Sequence, residues 1–240
     1  IILTQEGAEY HRIVSRLLSE LMMESERLRG RNPAKSLRVS TTVSFASKWL
    51  APRLSRFRQR YPEFDIQLDV TDSNVDLNDG QVDAAIRYGL GHYRDVSYER
   101  IFDETVTPVC SPGFLKEHNG LTEIKELSNC VLLHEYRMLA NWEAWFEMVG
   151  YSNFRCQQGP LWTLGSMATE AAIRGEGVAL GRSVLIADDV AAGRLVVPFP
   201  QYKLKAERGY DLVYRLDNQD SFKIPILRRW LSEEMSLLED

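Results

Sequence analysis

The chain opens on an apolar pattern of helical period. Tyr10, Ile13, Val14, Leu17, Leu18, Leu21 and Leu28 recur along one side of a helix predicted over residues 1–30. Thr4 is the predicted N-cap, Gln5 and Glu6 occupy the first turn, and Gly30 and Pro33 form the stop. About 24 residues at ~1.5 Å each make a rod of roughly 36 Å. No strand pattern follows closely enough to cover its apolar side. That side is therefore expected to pack on another copy or another domain, with folding back on its own domain as the plainer reading.

After Pro33 the period changes. Residues 37–42 alternate as a strand, and 44–61 read as a helix with Trp49, Leu50, Leu54 and Phe57 on one face and Pro52 as a kink. A strand over 65–71, a short helix or turn over 75–80 and a strand over 82–88 complete a β-α-β-α-β order, which implies a parallel sheet. A second set follows. It has a strand at 106–110, a helix opened by Ser111-Pro112, a strand at 131–134 and a helix at 142–149. A helix at 166–174 capped by Ser166, a strand at 177–180, a helix at 183–192 and a strand at 195–199 continue it. Residues 210–215 form a further strand, and Ile224, Leu227, Trp230, Leu231, Met235 and Leu238 mark the core side of a last helix. The one linker-like stretch is 31–35. Two α/β lobes of this kind take small ligands near the carboxyl ends of their strands.

Composition narrows the class. The 240 residues are 44% hydrophobic and 26% charged, an ordinary globular balance. No apolar run approaches the ~20 residues of a membrane helix, and Ile1-Ile2-Leu3-Thr4 is too short for a signal peptide. Cys110, Cys130 and Cys156 are odd in number and widely spaced, which points to a reducing compartment, the cytoplasm. His11, His92, His118 and His134 are scattered, so neither a metal nor another cofactor is expected. The net charge of −5 lacks the basic footprint of a free-standing DNA-binding domain. From Arg27 to Tyr61, however, there are ten Lys or Arg and no acid; solvated helix faces are the preferred reading and a surface near phosphates the other. Gly181-Arg182-Ser183 has Leu185 where a nucleophile elbow needs glycine. Gly175-Glu176-Gly177 is followed by no Gly-Lys-Ser/Thr, and Asp188-Asp189 diverge on a helix. No acid–base constellation of an enzyme emerges.

Several stretches carry a resemblance. They are Leu3-Thr4-Gln5-Glu6-Gly7 before the long helix, Leu37-Arg38-Val39-Ser40, and Leu50-Ala51-Pro52-Arg53-Leu54. Asp79-Gly80-Gln81-Val82-Asp83-Ala84-Ala85-Ile86-Arg87-Tyr88-Gly89, Pro108-Val109-Cys110-Ser111-Pro112 and Gly175-Glu176-Gly177-Val178-Ala179-Leu180-Gly181 extend it. With Ala191-Ala192-Gly193-Arg194-Leu195-Val196 they cover nearly the whole chain. The pattern resembles LysR-type transcriptional regulators, in the branch of the glycine-cleavage activator and the β-lactamase regulator. The resemblance implies an α/β, two-lobed type 2 periplasmic-binding-protein-like domain preceded by a long linker helix. It divides the chain into a linker/dimerisation helix at 1–30, lobe I at 36–107 plus 209–240, and lobe II at 108–208. It also implies a winged helix-turn-helix head that precedes this chain and contacts DNA.

By the same resemblance a small-molecule effector sits between the lobes. Thr42, Ser44, Asp76, Tyr88, Trp162, Ser166 and Tyr210 are the implied effector-binding residues. Ser44 at a helix start would offer free N–H groups and a positive dipole end to a carboxylate or carbonyl. Where the branch often carries an acid and a serine before Ser166, this chain has Leu164-Gly165, which makes that half of the pocket less polar. Tyr10, Ile13, Val14, Leu17 and Leu21 are the implied dimerisation contacts. The implied mechanism is allosteric: the effector favours one lobe arrangement, and the helix passes the change to paired DNA heads. A homodimer or homotetramer, contact with RNA polymerase and no membrane complete the expectation. A periplasmic solute-binding protein of the same fold is the alternative, and the opening helix argues against it.

Overall fold

The structure is a computed structural model describing residues 4–28, 35–73, 75–136, 138, 140–152, 154, 157–218 and 221–237. Leu3, the predicted stop at Gly30 and Pro33, most of the 31–35 linker, Cys156 and Leu238 lie outside the described residues. The chain separates into two compact units. The first comprises Ile1–Thr42, Arg53–Ile101 and Tyr210–Asp240, the second Val43–Pro52 and Phe102–Gly209. Residues 43–52, 102–107 and 209, assigned to lobe I from the sequence, group with the second unit.

In the first unit, α1 (Gln5–Leu28) starts where Thr4 Oγ1 accepts a hydrogen bond from Gly7 N at 3.1 Å. Its apolar side is open: Tyr10 is 71% and Leu21 64% exposed, and Ile13, Leu17 and Leu18 are exposed too. Strand β1 (Ser36–Thr41) pairs in parallel with β2 (Asp65–Val70) and with β3 (Ala84–Gly89). Two further strands, β4 (Ser97–Phe102) and β10 (Gly209–Tyr214), complete the order β2-β1-β3-β10-β4. β4 had no counterpart in the sequence reading. It is an edge strand rich in charge, with Glu99 bonded to Arg228 and Arg100 to Asp211, so the apolar alternation that marks a buried strand is missing.

The predicted helix over 44–61 is real but broken. It runs as α2 (Val43–Phe45), a π turn over Ala46–Leu50, a 3-10 turn over Ala51–Arg53 and α3 (Leu54–Arg60). Pro52 has no N–H to give to a preceding carbonyl, so the hydrogen-bond register widens before it and tightens after it. The last helix of the chain, α8 (Lys223–Ser236), buries Ile224, Leu227, Trp230 and Leu231 as its periodicity predicts. Trp230 meets Phe57 of α3 edge-on at 5.0 Å. Arg56 Nε lies 2.9 Å from each Glu234 oxygen, and Arg60 Nη2 donates to Glu233 at 2.9 Å. Two cations of the basic stretch, Arg56 and Arg60, are thus held by acids of α8.

The second unit contains β5 (Thr105–Val109), α4 (Pro112–Glu117), β6 (Val131–Glu135) and α5 (Trp142–Met148). β7 (Gln157–Trp162), α6 (Gly165–Ile173), β8 (Val178–Arg182), α7 (Ser183–Ala191) and β9 (Leu204–Lys205) follow. Its sheet has the order β7-β6-β8-β5-β9 and is mixed: β6 is parallel to β7 and β8, and β5 is antiparallel to β8 and β9. Two glycines let backbones close up. A Cβ on Gly159 would stand 2.3 Å from the Leu132 carbonyl oxygen, and one on Gly177 2.3 Å from that of Val131. Residues 195–199 are not a strand; Val196 makes one bridge to Cys110, and Pro198 withdraws the next donor. β7 and a 3-10 turn at Ile124–Asn129 were not foreseen. Cys110 and Cys130 are buried free thiols.

Glu104, almost fully buried, accepts hydrogen bonds from Ser183 Oγ at 2.7 Å and Val184 N at 3.0 Å, at the start of α7. Burial raises its carboxyl above the ordinary range, against the opposing pull of Arg182 and these two bonds.

Candidate functional site

In the second unit, two predicted residues come together. Ser44 Oγ, on a 5% exposed side chain, donates to Ser166 Oγ at 3.1 Å across 122 positions of sequence. Neither serine is a cap. Ser44 is second in α2, and Ser166 is second in α6, whose N-cap is Leu164 without a side-chain bond. The sequence reading of Ser166 as the cap is thus off by two positions. The π turn that follows Ser44 carries Lys48, whose Nζ reaches Asp189 at 3.1 Å and Glu170 at 3.5 Å. Asp189 also takes Arg194 Nε at 2.7 Å, so this face of α6 and α7 is tied by charge. Trp162, half-buried at the end of β7, lines a cavity of about 410 Å³ with Lys48, Ser166, Glu170 and Arg174.

Gly165 changes the expected polarity of this region. A Cβ there would meet Glu135 Oε2 at 2.3 Å. The carboxylate of Glu135, from β6, therefore lies over the first turn of α6. The acid that residues 164–165 lack arrives from a neighbouring strand, and the region is more polar than the sequence implies. No local motif links Glu135 to Gly165; the signal is a glycine at a helix start facing a strand that ends in an acid.

In the first unit the predicted residues divide. Tyr88 and the fully buried Tyr210 meet with ring centres 5.2 Å apart and planes tilted by 48°. Thr42 Oγ1 is buried with no hydrogen-bond partner among the described residues. Asp76 lies elsewhere. It caps the turn Leu77–Asp79, accepting from Asn78 N at 2.9 Å, and lines a cavity with Ala85, Arg87 and Val213. Alternation along β3 and β10 sends Ala85, Arg87 and Val213 to the opposite sheet face from Tyr88 and Tyr210.

Sequence reasoning passed over the charged group on that face. Asp211, fully buried, accepts from Arg100 Nε at 2.5 Å and from the Tyr93 hydroxyl at 3.0 Å. Burial, and then the Asp211 charge, push the Tyr93 phenol well above its usual range. An acid alternating with Tyr210 and Leu212 inside a strand was the available cue. Among the described residues no group of three His, Cys, Asp or Glu is placed to hold a metal ion. No described helix is long and apolar enough to cross a membrane.

Comparison with known proteins decides the family. The description "LysR substrate binding domain" matches residues 30–236. The chain belongs to the LysR family. It is 33% identical over 231 residues to the glycine cleavage system transcriptional activator of Escherichia coli K12, covering 96% of this chain and 75% of that one. It is 29% identical to the HTH-type transcriptional activator AmpR of Rhodobacter capsulatus, covering 97% of this chain and 78% of the relative. The effector domain of AmpR from Pseudomonas aeruginosa superposes with a TM-score of 0.69 at 26% identity, covering 84% of this chain and 96% of that domain. This LysR-type chain is thus an effector-binding domain of a transcriptional regulator, with the two-sheet α/β fold of that family. Nothing in these matches favours the solute-binding alternative.

Proposed function

We propose that this LysR-type domain senses a small molecule through the Ser44–Ser166 hydroxyl pair of its second unit, and that the chain acts by binding and not by catalysis. The observation that carries the reading is the 3.1 Å contact between two hydroxyls far apart in sequence, beside the Glu135 carboxylate. Hydroxyls that exchange one bond with each other keep further donor and acceptor capacity for a ligand. Trp162 offers an aromatic face nearby. Thr42, Tyr88 and Tyr210 are proposed as effector contacts on the strength of the resemblance. Asp76, committed to a turn on the other face of its sheet, is left out of this set.

The open side of α1, with Tyr10, Ile13, Val14, Leu17 and Leu21, is proposed to pack on a second copy, giving a homodimer or a homotetramer of two such dimers. DNA would be read by a head outside this chain, with RNA polymerase as a further partner, and the setting would be the cytoplasm. A thermal-shift screen of amino acids, short peptides and aromatic acids tests the sensing site. A hit should lose its shift in Ser44→Ala and in Ser166→Ala while both variants keep native unfolding midpoints. Undiminished shifts in both would refute the assignment.

A further inference from the structure

The first unit holds a buried cation that the effector reading does not use. Arg87, in the middle of β3, is 8% exposed. Its Nη2 donates to Ser40 Oγ at 2.7 Å and its Nη1 to the Thr71 carbonyl at 3.1 Å. Both acceptors are neutral, and Arg87 makes no ion pair among the described residues. The acids that act on it, Asp69 and Asp72, do so through space, and Asp69 already accepts from Ser40 at 3.1 Å. A guanidinium stays charged under any ordinary condition, so its desolvation is offset only in part here.

This residue lines a cavity of about 360 Å³. His92 and Arg94 also line it, against one acid, Asp76. Asn78 and Tyr93, whose hydroxyl is given to Asp211, add polar atoms, and the remaining wall is apolar, from Val75, Leu77, Ala85, Val96 and Val213. A small volume, an apolar wall and a few convergent charges describe a site for a small molecule, and the balance of those charges favours an anion. The fork of a guanidinium takes carboxylate or phosphate equally well. The apolar wall decides between them, because a bare phosphate leaves it uncovered and a carboxylate on a short hydrocarbon body covers it.

We propose that the first unit carries a second binding site, for a short-chain carboxylate, with its anionic end at Arg87, His92 and Arg94 and its tail against Val75, Leu77 and Val213. The site lies on the sheet face opposite Tyr88 and Tyr210 and shares no residue with the Ser44–Ser166 pair. One wall is the turn Leu77–Asp79, which α1 touches. Occupation of this site therefore bears on the helix that leads out of the domain.

Isothermal titration of the whole chain tests the proposal, with 3-methylbutanoate and inorganic phosphate as probes. 3-Methylbutanoate should bind at least tenfold more tightly than phosphate. Arg87→Lys should weaken it at least tenfold. If that variant fails to fold, Arg94→Gln on the exposed rim should weaken binding at least threefold with an unchanged unfolding midpoint. Ser44→Ala should leave the titration as it is. No heat at 20 mM 3-methylbutanoate, equal binding of phosphate, or binding indifferent to the arginine variants would overturn the site. Loss of binding in Ser44→Ala would move the ligand to the effector pair and overturn it as well.

Discussion

Glu234→Ala measures how the first unit holds its last helix. The carboxylate is 5% exposed, takes Arg56 Nε at 2.9 Å on both oxygens, and stands 3.9 Å from Arg53, which is 3% exposed. Deleting the acid withdraws counter-charge from a guanidinium that is itself out of water. Breaking a buried pair in this sense costs about 3–5 kcal/mol. Arg56→Ala removes the half-exposed member and leaves the carboxylate facing Arg53. Its cost is that of a partly screened charged hydrogen bond, about 1–2 kcal/mol. At ~2–4 °C per kcal/mol for a chain of this length, Glu234→Ala should lower the midpoint by roughly 6–20 °C and Arg56→Ala by roughly 2–8 °C. Two units need not unfold together, so hydrogen exchange of the α8 amides should accompany calorimetry. The double variant Arg53→Met, Glu234→Leu should recover most of the loss, because exchanging a whole buried pair for apolar groups is often neutral or stabilising. Equal costs for the two single variants, or a double variant as weak as Glu234→Ala, would refute the buried-charge reasoning.

Other expectations bear on the second unit and on α1. Gly177→Ala should destabilise the second unit by about 3 kcal/mol or more in urea titration, since the new Cβ would press on a backbone carbonyl that has no rotamer to escape into. Burial makes folded Glu104 hold its proton more tightly than the unfolded chain does. Its contribution to stability is therefore full below the ordinary carboxylate range and is lost as pH rises through the raised value; Glu104→Gln should flatten that fall in a pH series of unfolding curves. Burial first, with a neighbouring charge second, pushes the Cys110 thiol up to about 12 and the Cys130 thiol up to about 11. A disulfide reagent at neutral pH should leave both unreacted until the chain is unfolded. Leu17→Glu combined with Leu21→Glu should weaken self-association at least tenfold in sedimentation runs, with the domain's own midpoint unchanged.

The parts of the fold that were legible in the sequence are those where burial repeats at a fixed period. α8 could be read from Ile224, Leu227, Trp230 and Leu231, which line its buried side, and the start of β1 from the alternation of Leu37 and Val39, before both its faces are buried at Ser40 and Thr41. β4 could not, because an edge strand is held by Glu99 and Arg100 pairing with residues far along the chain. β7 could not either, because Gly159 replaces side-chain alternation with close backbone approach to β6. In the candidate site, family resemblance put Ser44 and Ser166 forward separately as effector contacts, and their bond to each other across 122 positions is visible only in the fold. The roles of Glu135, Arg87 and Asp211 are properties of spatial neighbours. An acid at the end of one strand and a glycine at the start of a helix carry no shared local pattern, so only folding brings their relation into view.

The strand order of the first sheet has a consequence for synthesis on the ribosome. β10 sits between β3 and β4, yet it is made after every residue of the second unit. At about 5–20 residues per second, roughly 5–20 s pass between emergence of β4 and emergence of β10. During that interval β3 and β4 face solvent with unpaired edges, the condition that invites pairing with other nascent chains. The second unit has all its residues by Gly209 and can close first. A message truncated just after that point would yield one finished unit tethered to an open sheet, a product for chaperones and proteases to remove.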